Sequence, residues 1–520
     1  MNRNIVRRLF IVVLLGVASF LVLLPLFRPG FPVTDDGNWM IVRLSAFYQS
    51  FRDGQFPVRF LGRLNFSYGY PVANFLYPGF LYLGSFVHIF GLNFQNVIKV
   101  IMASSIVIGA VALYFWLRYF FDEISSALGS LSFLFMPYVF YDLYKRGSVG
   151  ELLAMGVCMV ALWAIEGGYR WILPPVVAML AISHNTLALF FIGVLFFYII
   201  LKQFKKLIIP FFLGLVMSAF FWLPAIFDQS IVIFNTVSIS DPTQYFKDSQ
   251  QLLLLGLTYL IACLLAFFWG NRTYSKERNY FSVILIGSTL FATSITSFVW
   301  HISLFARLIQ FPFRFFSLWI FAAPWFIADI ANSRKRLRFW ILGLFVLANL
   351  YFVVLPYQKT QNVINPEGYF TTNEATTTVA NEYMPKWINV YPTQRSPNRF
   401  EIYQGNATVE ERKVTTNLIS LIVHAKDSSI LQVNTIYYPG WGVMIDNKPA
   451  EILYDNPFGL MQIVIPSGNH IVYMTFRETA GRFVADSISV VAIILYIIFF
   501  IILEIVYSFN VVKKQKNVKK

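Results

Sequence analysis

The chain has 520 residues, 57% hydrophobic and only 13% charged, with a mean hydropathy of +0.61, which excludes both a soluble globular protein and a disordered one. Aromatic residues reach 18%, with 55 Phe, as suits lipid-facing helices and interfacial belts. The net charge of +15 does not mark nucleic-acid binding, because the basic residues cluster in connectors between apolar runs and read as positive-inside signals.

With the N-terminus on the cytoplasmic side, apolar runs at 9–27, 100–120, 124–141, 152–165, 172–182, 187–201, 207–227, 252–269, 280–299, 315–330, 339–355 and 484–507 predict about twelve spans of a roughly 30 Å hydrocarbon layer. This walk leaves the basic clusters at Asn2-Arg3, Arg7-Arg8, 202–206, 334–338 and 513–520 inside. The first run lacks a small-residue cleavage pattern and reads as an uncleaved signal anchor. A long first external loop, 28–99, contains the apolar stretch 75–90, broken by Pro78, Gly79 and Gly84. One reading lays that stretch in the interface. The alternative lets it span and makes 172–201 a single helix. Cys158 and Cys263 lie in apolar runs, so neither a disulfide nor a metal site is implied.

Residues 356–483 are a different material. Short β-branched or aromatic runs at 418–424, 430–437, 442–445, 449–453, 460–465 and 470–476 are separated by turn chemistry at Asp446-Asn447 and Pro466-Ser467-Gly468-Asn469. They predict a small extracytoplasmic β-sandwich. The division is therefore 1–355 for the transmembrane module, 356–483 for the sandwich, and 484–520 for a last helix with a basic cytoplasmic tail.

Polar groups that could carry chemistry fall on the external ends of helices. Asp35 and Asp36 open an amphipathic segment and read either as helix N-caps or as functional carboxylates. Lys145-Arg146 would hold a phosphate, and Glu151 opens the next helix, where a dipole role is worth less than about 1 kcal/mol. His184 and Asn185 separate two apolar runs; a lone membrane histidine is equally a hydrogen-bonded structural group. Gln310 and Arg314 begin an inward helix, and Arg314 entering an apolar run requires an anionic partner, a diphosphate or a carboxylate. Convergence of such clusters on one face suits a cavity opening outward.

A set of motifs runs in order through nearly the whole chain. It comprises Asp35-Asp36-Gly37, Asp53-Gly54-Gln55-Phe56-Pro57-Val58-Arg59, Tyr68-Gly69-Tyr70-Pro71, Arg146-Gly147 with Glu151, and Ser183-His184-Asn185. It continues with Phe221-Trp222-Leu223-Pro224, Gln310-Phe311-Pro312-Phe313-Arg314, Glu382-Tyr383-Met384-Pro385 and Tyr438-Pro439-Gly440-Trp441. As a set it resembles the GT-C class of membrane glycosyltransferases, and within it the bacterial and archaeal "6-pyruvoyl-tetrahydropterin synthase-related" and YfhO-like membrane proteins. The resemblance implies a sugar donor on a polyprenyl phosphate and an acidic residue of the first external loop acting on the acceptor. Carried over, that residue is Asp36, with Asp35 beside it. Where the pattern implies a histidine shortly after the aspartate, this chain has Trp39-Met40.

The expected reaction has the donor phosphate among Arg59, Lys145, Arg146 and Arg314, with Glu151, His184, Asn185 and Gln310 toward the substrate. Asp36 removes the acceptor proton, with inversion at the anomeric carbon. Tyr437, Tyr438 and Trp441 either stack on sugar rings or form sandwich core. The partners implied are membrane lipid, a polyprenyl-phosphate-linked sugar and a glycan, lipid or protein acceptor, with no nucleic acid. No nucleotide cofactor is expected, no metal ligands are assigned, and a need for a divalent cation stays open. The rival readings are a transporter or flippase of lipid-linked saccharides, marked by discontinuous helices, and a non-catalytic scaffold of envelope assembly.

Overall fold

The structure, a computed structural model, describes residues 3–237, 241–336 and 338–518. Asn2, Leu337, Lys519 and Lys520, all within the basic clusters named above, lie outside the described residues. Among the described residues, five helical segments are long and apolar enough to cross a membrane: Phe94–Leu117, Glu123–Arg146, Val149–Glu166, Pro312–Ser333 and Ala480–Phe500. Up to eight result if three bent pairs each count as one span. Three shorter apolar helices, Ile11–Val22, Asn185–Leu201 and Phe345–Gln358, accompany them, and several of the runs that hydropathy reads as continuous contain breaks in the backbone. Lys205–Met217 and Ala219–Ile231 meet at 60°, Pro242–Leu255 and Leu257–Trp269 at 57°, and Arg272–Phe291 and Ser294–Trp300 at 76°. The run 172–201 is likewise interrupted, leaving Leu173–Ala181 with 9 residues, about 14 Å of helix and too short to cross.

The 75–90 stretch forms a 10-residue helix, Gly79–His88, which at about 15 Å cannot span. Phe80 and Leu81 face the protein, while Leu83, Phe86, Ile89 and Phe90 are exposed. The bundle centre is set by small residues. A Cβ on Gly156 would lie 2.3 Å from the Ser105 carbonyl oxygen, so Phe94–Leu117 and Val149–Glu166 approach nearly backbone to backbone, the packing that membrane helices use in place of a hydrophobic driving force. The last helix, Ala480–Val518, carries exposed Val484, Val491, Leu495 and Ile498, an apolar surface of the kind that faces lipid in a membrane span.

Before that helix lie two antiparallel sheets. The larger has the order Ala407–Val414, Leu418–Ala425, Gly468–Phe476, Trp441–Ile445, Lys448–Ala450; the smaller has Phe400–Gln404, Ser429–Ile436, Leu460–Ile465. Alternate residues Ile419, Leu421, Val423, Val472 and Met474 of the first, with Leu431, Val433, Ile463 and Ile465 of the second, belong to one buried cluster. Tyr438 and Trp441 are buried there against Phe60 and Phe476, which makes them core rather than a sugar platform.

The boundary expected at residue 355 is crossed repeatedly. Phe31–Pro32 pairs with Asn362–Val363, Arg43 donates to the Thr377 carbonyl at 2.6 Å, and Asp53 accepts from the Thr416 amide at 2.8 Å. The first loop, the 356–399 stretch and the sheets are thus packed together at one end of the bundle.

Candidate active site at the Asp36, Arg146 and Arg314 cluster

Asp36 occupies the N-cap position of helix Gly37–Arg52 but makes no side-chain cap bond. Thr34 Oγ1 accepts from the Gly37 amide instead, at 3.2 Å. The carboxylate, 26% exposed, reaches Arg146 Nη2 at 2.9 Å. Backbone pairing enforces this meeting: the Asp35 amide donates to Lys145 O at 2.9 Å and the Asp36 amide to Arg146 O at 2.8 Å. Lys145 Nζ stands 3.0 Å from Asp35 Oδ1, both half exposed.

Arg146 comes from a π-helical turn, Asp142–Arg146, closed by Gly147 at φ +66°. A side chain at Gly147 would meet Thr34 Oγ1 at 2.4 Å, so glycine is required both for the left-handed conformation and for the close pass of the first loop. Such turns inside helices recur at functional sites. The Arg146 guanidinium lies 4.9 Å from the Phe311 ring centroid and 5.4 Å from that of Phe313. Arg314 shares Phe311, at 4.8 Å, and this ring links the two cations.

Arg314 finds the carboxylate among its two possible partners. Its Nε donates to Glu151 Oε1 at 3.1 Å, and its Nη1 to Ile309 O at 2.9 Å, Gln310 Oε1 at 3.0 Å and Thr186 Oγ1 at 3.3 Å. Nη2 carries no hydrogen bond among the described residues. The other Glu151 oxygen accepts from Tyr138 OH at 2.5 Å. His184 is a hydrogen-bonded structural group that also touches the charged cluster. Its Nδ1 accepts from the Leu187 amide at 3.2 Å as a helix cap, which puts the proton on Nε2, 3.5 Å from Glu151 Oε1. Asn185 Nδ2 donates to Phe75 O at 3.0 Å.

Gln310 has φ +66° and ψ −46°, and the Phe311 amide donates to Ile309 O at 2.8 Å. This is a γ-turn of positive φ on a non-glycine residue, a strained conformation costing about 1–3 kcal/mol. The strain aims the Gln310 amide at Arg314.

Three residues belong to the cluster that sequence reasoning did not single out. Asp142 is fully buried, and neither carboxylate oxygen has a donor group among the described residues; its side chain lies against the Glu151 carboxyl, with Arg146 and Arg314 in electrostatic range. An acidic residue one position past the apolar run 124–141 was the available signal. Tyr138 and Tyr77 are the others. The Tyr77 ring packs 4.7 Å from His184, and burial pushes its hydroxyl up to about 12, with Asp36 and Glu151 also raising it. It therefore stays protonated and neutral beside His184.

Arg59 is the exception among the expected residues. The structure takes it to the junction of the sheets and last helix, where Nε meets Glu478 at 3.0 Å, Nη2 meets Asp486 at 2.8 Å and Nη1 donates to Phe220 O at 2.7 Å. It is buried and saturated there, so the expected role beside the donor phosphate is withdrawn. Among the described residues no group of three or more His, Cys, Asp or Glu side chains is arranged to hold a metal ion.

No known family profile and no curated protein matches the chain. Among solved structures, the arabinofuranosyltransferase AftD from mycobacteria is similar over 67% of this chain and 27% of its own length, at 16% identity and a TM-score of 0.45. An oligosaccharyltransferase of Archaeoglobus fulgidus, solved with zinc and sulfate, is similar over 72% of this chain and 54% of its own, at 13% identity and a TM-score of 0.35. The chain thus spans 27% and 54% of the lengths of these two proteins. Neither likeness is close enough to identify a family.

Proposed function

We propose that this membrane protein is a GT-C-like glycosyltransferase, of the kind the motif set resembles, moving a sugar from a polyprenyl-phosphate carrier to an extracytoplasmic acceptor. The observation that carries this reading is the Asp36 carboxylate: placed at a helix N-terminus, not used as a cap, a quarter exposed, and tied to Arg146 alone. A structural cap would spend that carboxylate on the helix amides.

The chemistry follows from an exchange of partners. A donor phosphate oxygen accepting from Arg146 competes with Asp36 for the guanidinium and so frees the carboxylate. Arg314 Nη2 and Lys145 Nζ supply further donors for charge that builds on the leaving phosphate. Asp36 then takes the proton of the acceptor hydroxyl as its oxygen bonds to the anomeric carbon. The bond from that carbon to the phosphate oxygen breaks, and its electron pair leaves with the polyprenyl phosphate. Glu151, held by Tyr138 and His184, fixes Arg314; Gln310 and Asn185 complete the wall. Under this reading both chain termini are cytoplasmic and the sheets extracytoplasmic.

The test is transfer from a panel of polyprenyl-phosphate monosaccharides by purified protein, with donor retention followed by native mass spectrometry. Asp36→Asn should retain the donor and lose transfer; Arg146→Ala should lose the donor. Transfer surviving in Asp36→Asn would sink the mechanism. The three bent helix pairs favour a second reading, a carrier of lipid-linked saccharides, since broken helices mark such proteins. A carrier would move its lipid across a vesicle membrane with Asp36→Asn in place.

A further inference from the structure

A second site lies at the far end of the helix that begins at Asp36. Between the first loop and the sheets opens a cavity of about 800 Å³, lined by Gln49 and Asp53 from the helix end, by the turn through Phe66, Ser67 and Tyr68, and by Arg63, Arg395 and Arg399. Gln49 and Asp36 stand about 20 Å apart along the Gly37–Arg52 helix. A ligand here cannot be the reacting hydroxyl. It can be a remote part of a chain whose end is.

The wall is built at a cost. Asn65, Phe66 and Ser67 have φ of 57°, 56° and 66°, consecutive left-handed non-glycine residues of the sort that persist at ligand clamps. Glu374 locks them: its carbonyl accepts from the Phe66 amide at 2.9 Å and its carboxylate from Ser67 Oγ at 2.5 Å. The two carboxylates of the lining are already engaged, Asp53 by the Thr416 amide and Glu374 by Ser67 and Arg395. The lining as a whole is hydroxyl, amide, guanidinium, carboxylate and aromatic, with little aliphatic surface. That excludes a lipid tail and suits a polyhydroxylated ligand.

The guanidiniums indicate its charge. Arg399 makes no ion pair among the described residues; its single hydrogen bond is from Nη2 to Thr415 O at 3.3 Å, and its buried Nε has no partner. Arg63 bonds to the carbonyls of Phe370 and Thr371 and to Ser45 and makes no ion pair among the described residues, with the Glu374 carboxylate within electrostatic range. Arg395 is exposed, with Glu374 at 3.5 Å. Burial lowers Arg399 from its ordinary value and takes Arg63 to about 10, so both gain from an incoming anion.

We infer that this cavity binds an acidic saccharide chain, the distal part of the acceptor whose end is glycosylated near Asp36. The acceptor role rests on the transferase reading; the binding chemistry does not. Binding energy from such a remote segment raises selectivity for long acceptors over short ones.

The test is calorimetric titration of full-length protein in nanodiscs with tetragalacturonate and, as the neutral control, maltotetraose. Tetragalacturonate should bind at least about tenfold tighter than maltotetraose, as charge-assisted bonds require. Arg399→Gln should weaken it about tenfold and the exposed Arg395→Gln a few-fold, while Asp36→Asn leaves it unchanged. Equal binding of the two sugars, no binding of tetragalacturonate, or indifference to both arginine variants overturns the inference. Tetragalacturonate bound through Arg399 by a protein that retains no lipid-linked sugar would uphold the site and overturn the transferase reading instead.

Discussion

Three segments of the bundle carry charged or polar groups at both ends, and the two ends differ. Val149–Glu166 has Glu151 in its first turn and Glu166 at its last residue, about 22 Å apart. Asn185–Leu201 begins beside Thr186 and ends at Lys202; Pro312–Ser333 holds Arg314 near its start and Asp329 near its end. At the far end Lys202 Nζ bridges Glu166 at 2.9 Å and Glu277 at 2.8 Å, and Arg278 meets Asp329 at 2.9 Å. Each of these charges has an opposite partner, and a left-handed non-glycine residue beside them, Gln203 at φ 56°, lies in the connector after Lys202. The near end keeps Asp142 without a donor, Asp36 partly exposed and Gln310 strained. Buried ion pairs are therefore common to both ends and mark neither as a site. A buried carboxylate without a donor, Asp142, and a partly exposed one, Asp36, set the near end apart. Lys202 also corrects the expectation that the 202–206 cluster carries only topological charge.

The comparison can be broken most directly at Asp36. Asp36→Asn should lower transfer by about 10²–10⁴-fold with little change in thermal stability; a radiolabelled donor assay beside a melting curve checks both. At the far end Lys202→Met strands two buried carboxylates and should cost about 3–5 kcal/mol. Its transfer rate per folded molecule should equal that of the wild type, and a lower rate would mean the two ends are coupled. Gln310→Gly removes the γ-turn strain and the amide acceptor of Arg314 together. Its stability should stay within about 1 kcal/mol of wild type, since released strain offsets added chain entropy, while transfer falls. The smallest effect belongs to Lys145→Ala, which breaks an exposed pair worth about 0–1 kcal/mol and should weaken donor retention only at low salt.

The membrane class, most of the strands and most of the near cluster were legible because each rests on local pattern. Apolar runs identify lipid-facing helices, alternation found the strands at 418–424 and 460–465, and polar residues at helix ends found Asp36, Arg146, Glu151, His184 and Arg314. The strand Ala407–Val414 escaped because Glu410 to Lys413 carry charge along a sheet edge, where alternation is lost. What only tertiary structure decided is partnership. Arg59 and Arg314 look alike in sequence, each an arginine in an aromatic setting. Arg59 is neutralised by Glu478 and Asp486, more than four hundred positions along the chain, whereas Arg314 retains a donor beside Arg146. Helix breaks at Ser218 and Gly256 were hidden for a related reason. Hydropathy sums side chains along the chain, but which charge is cancelled and where a helix bends depend on what the fold packs against it.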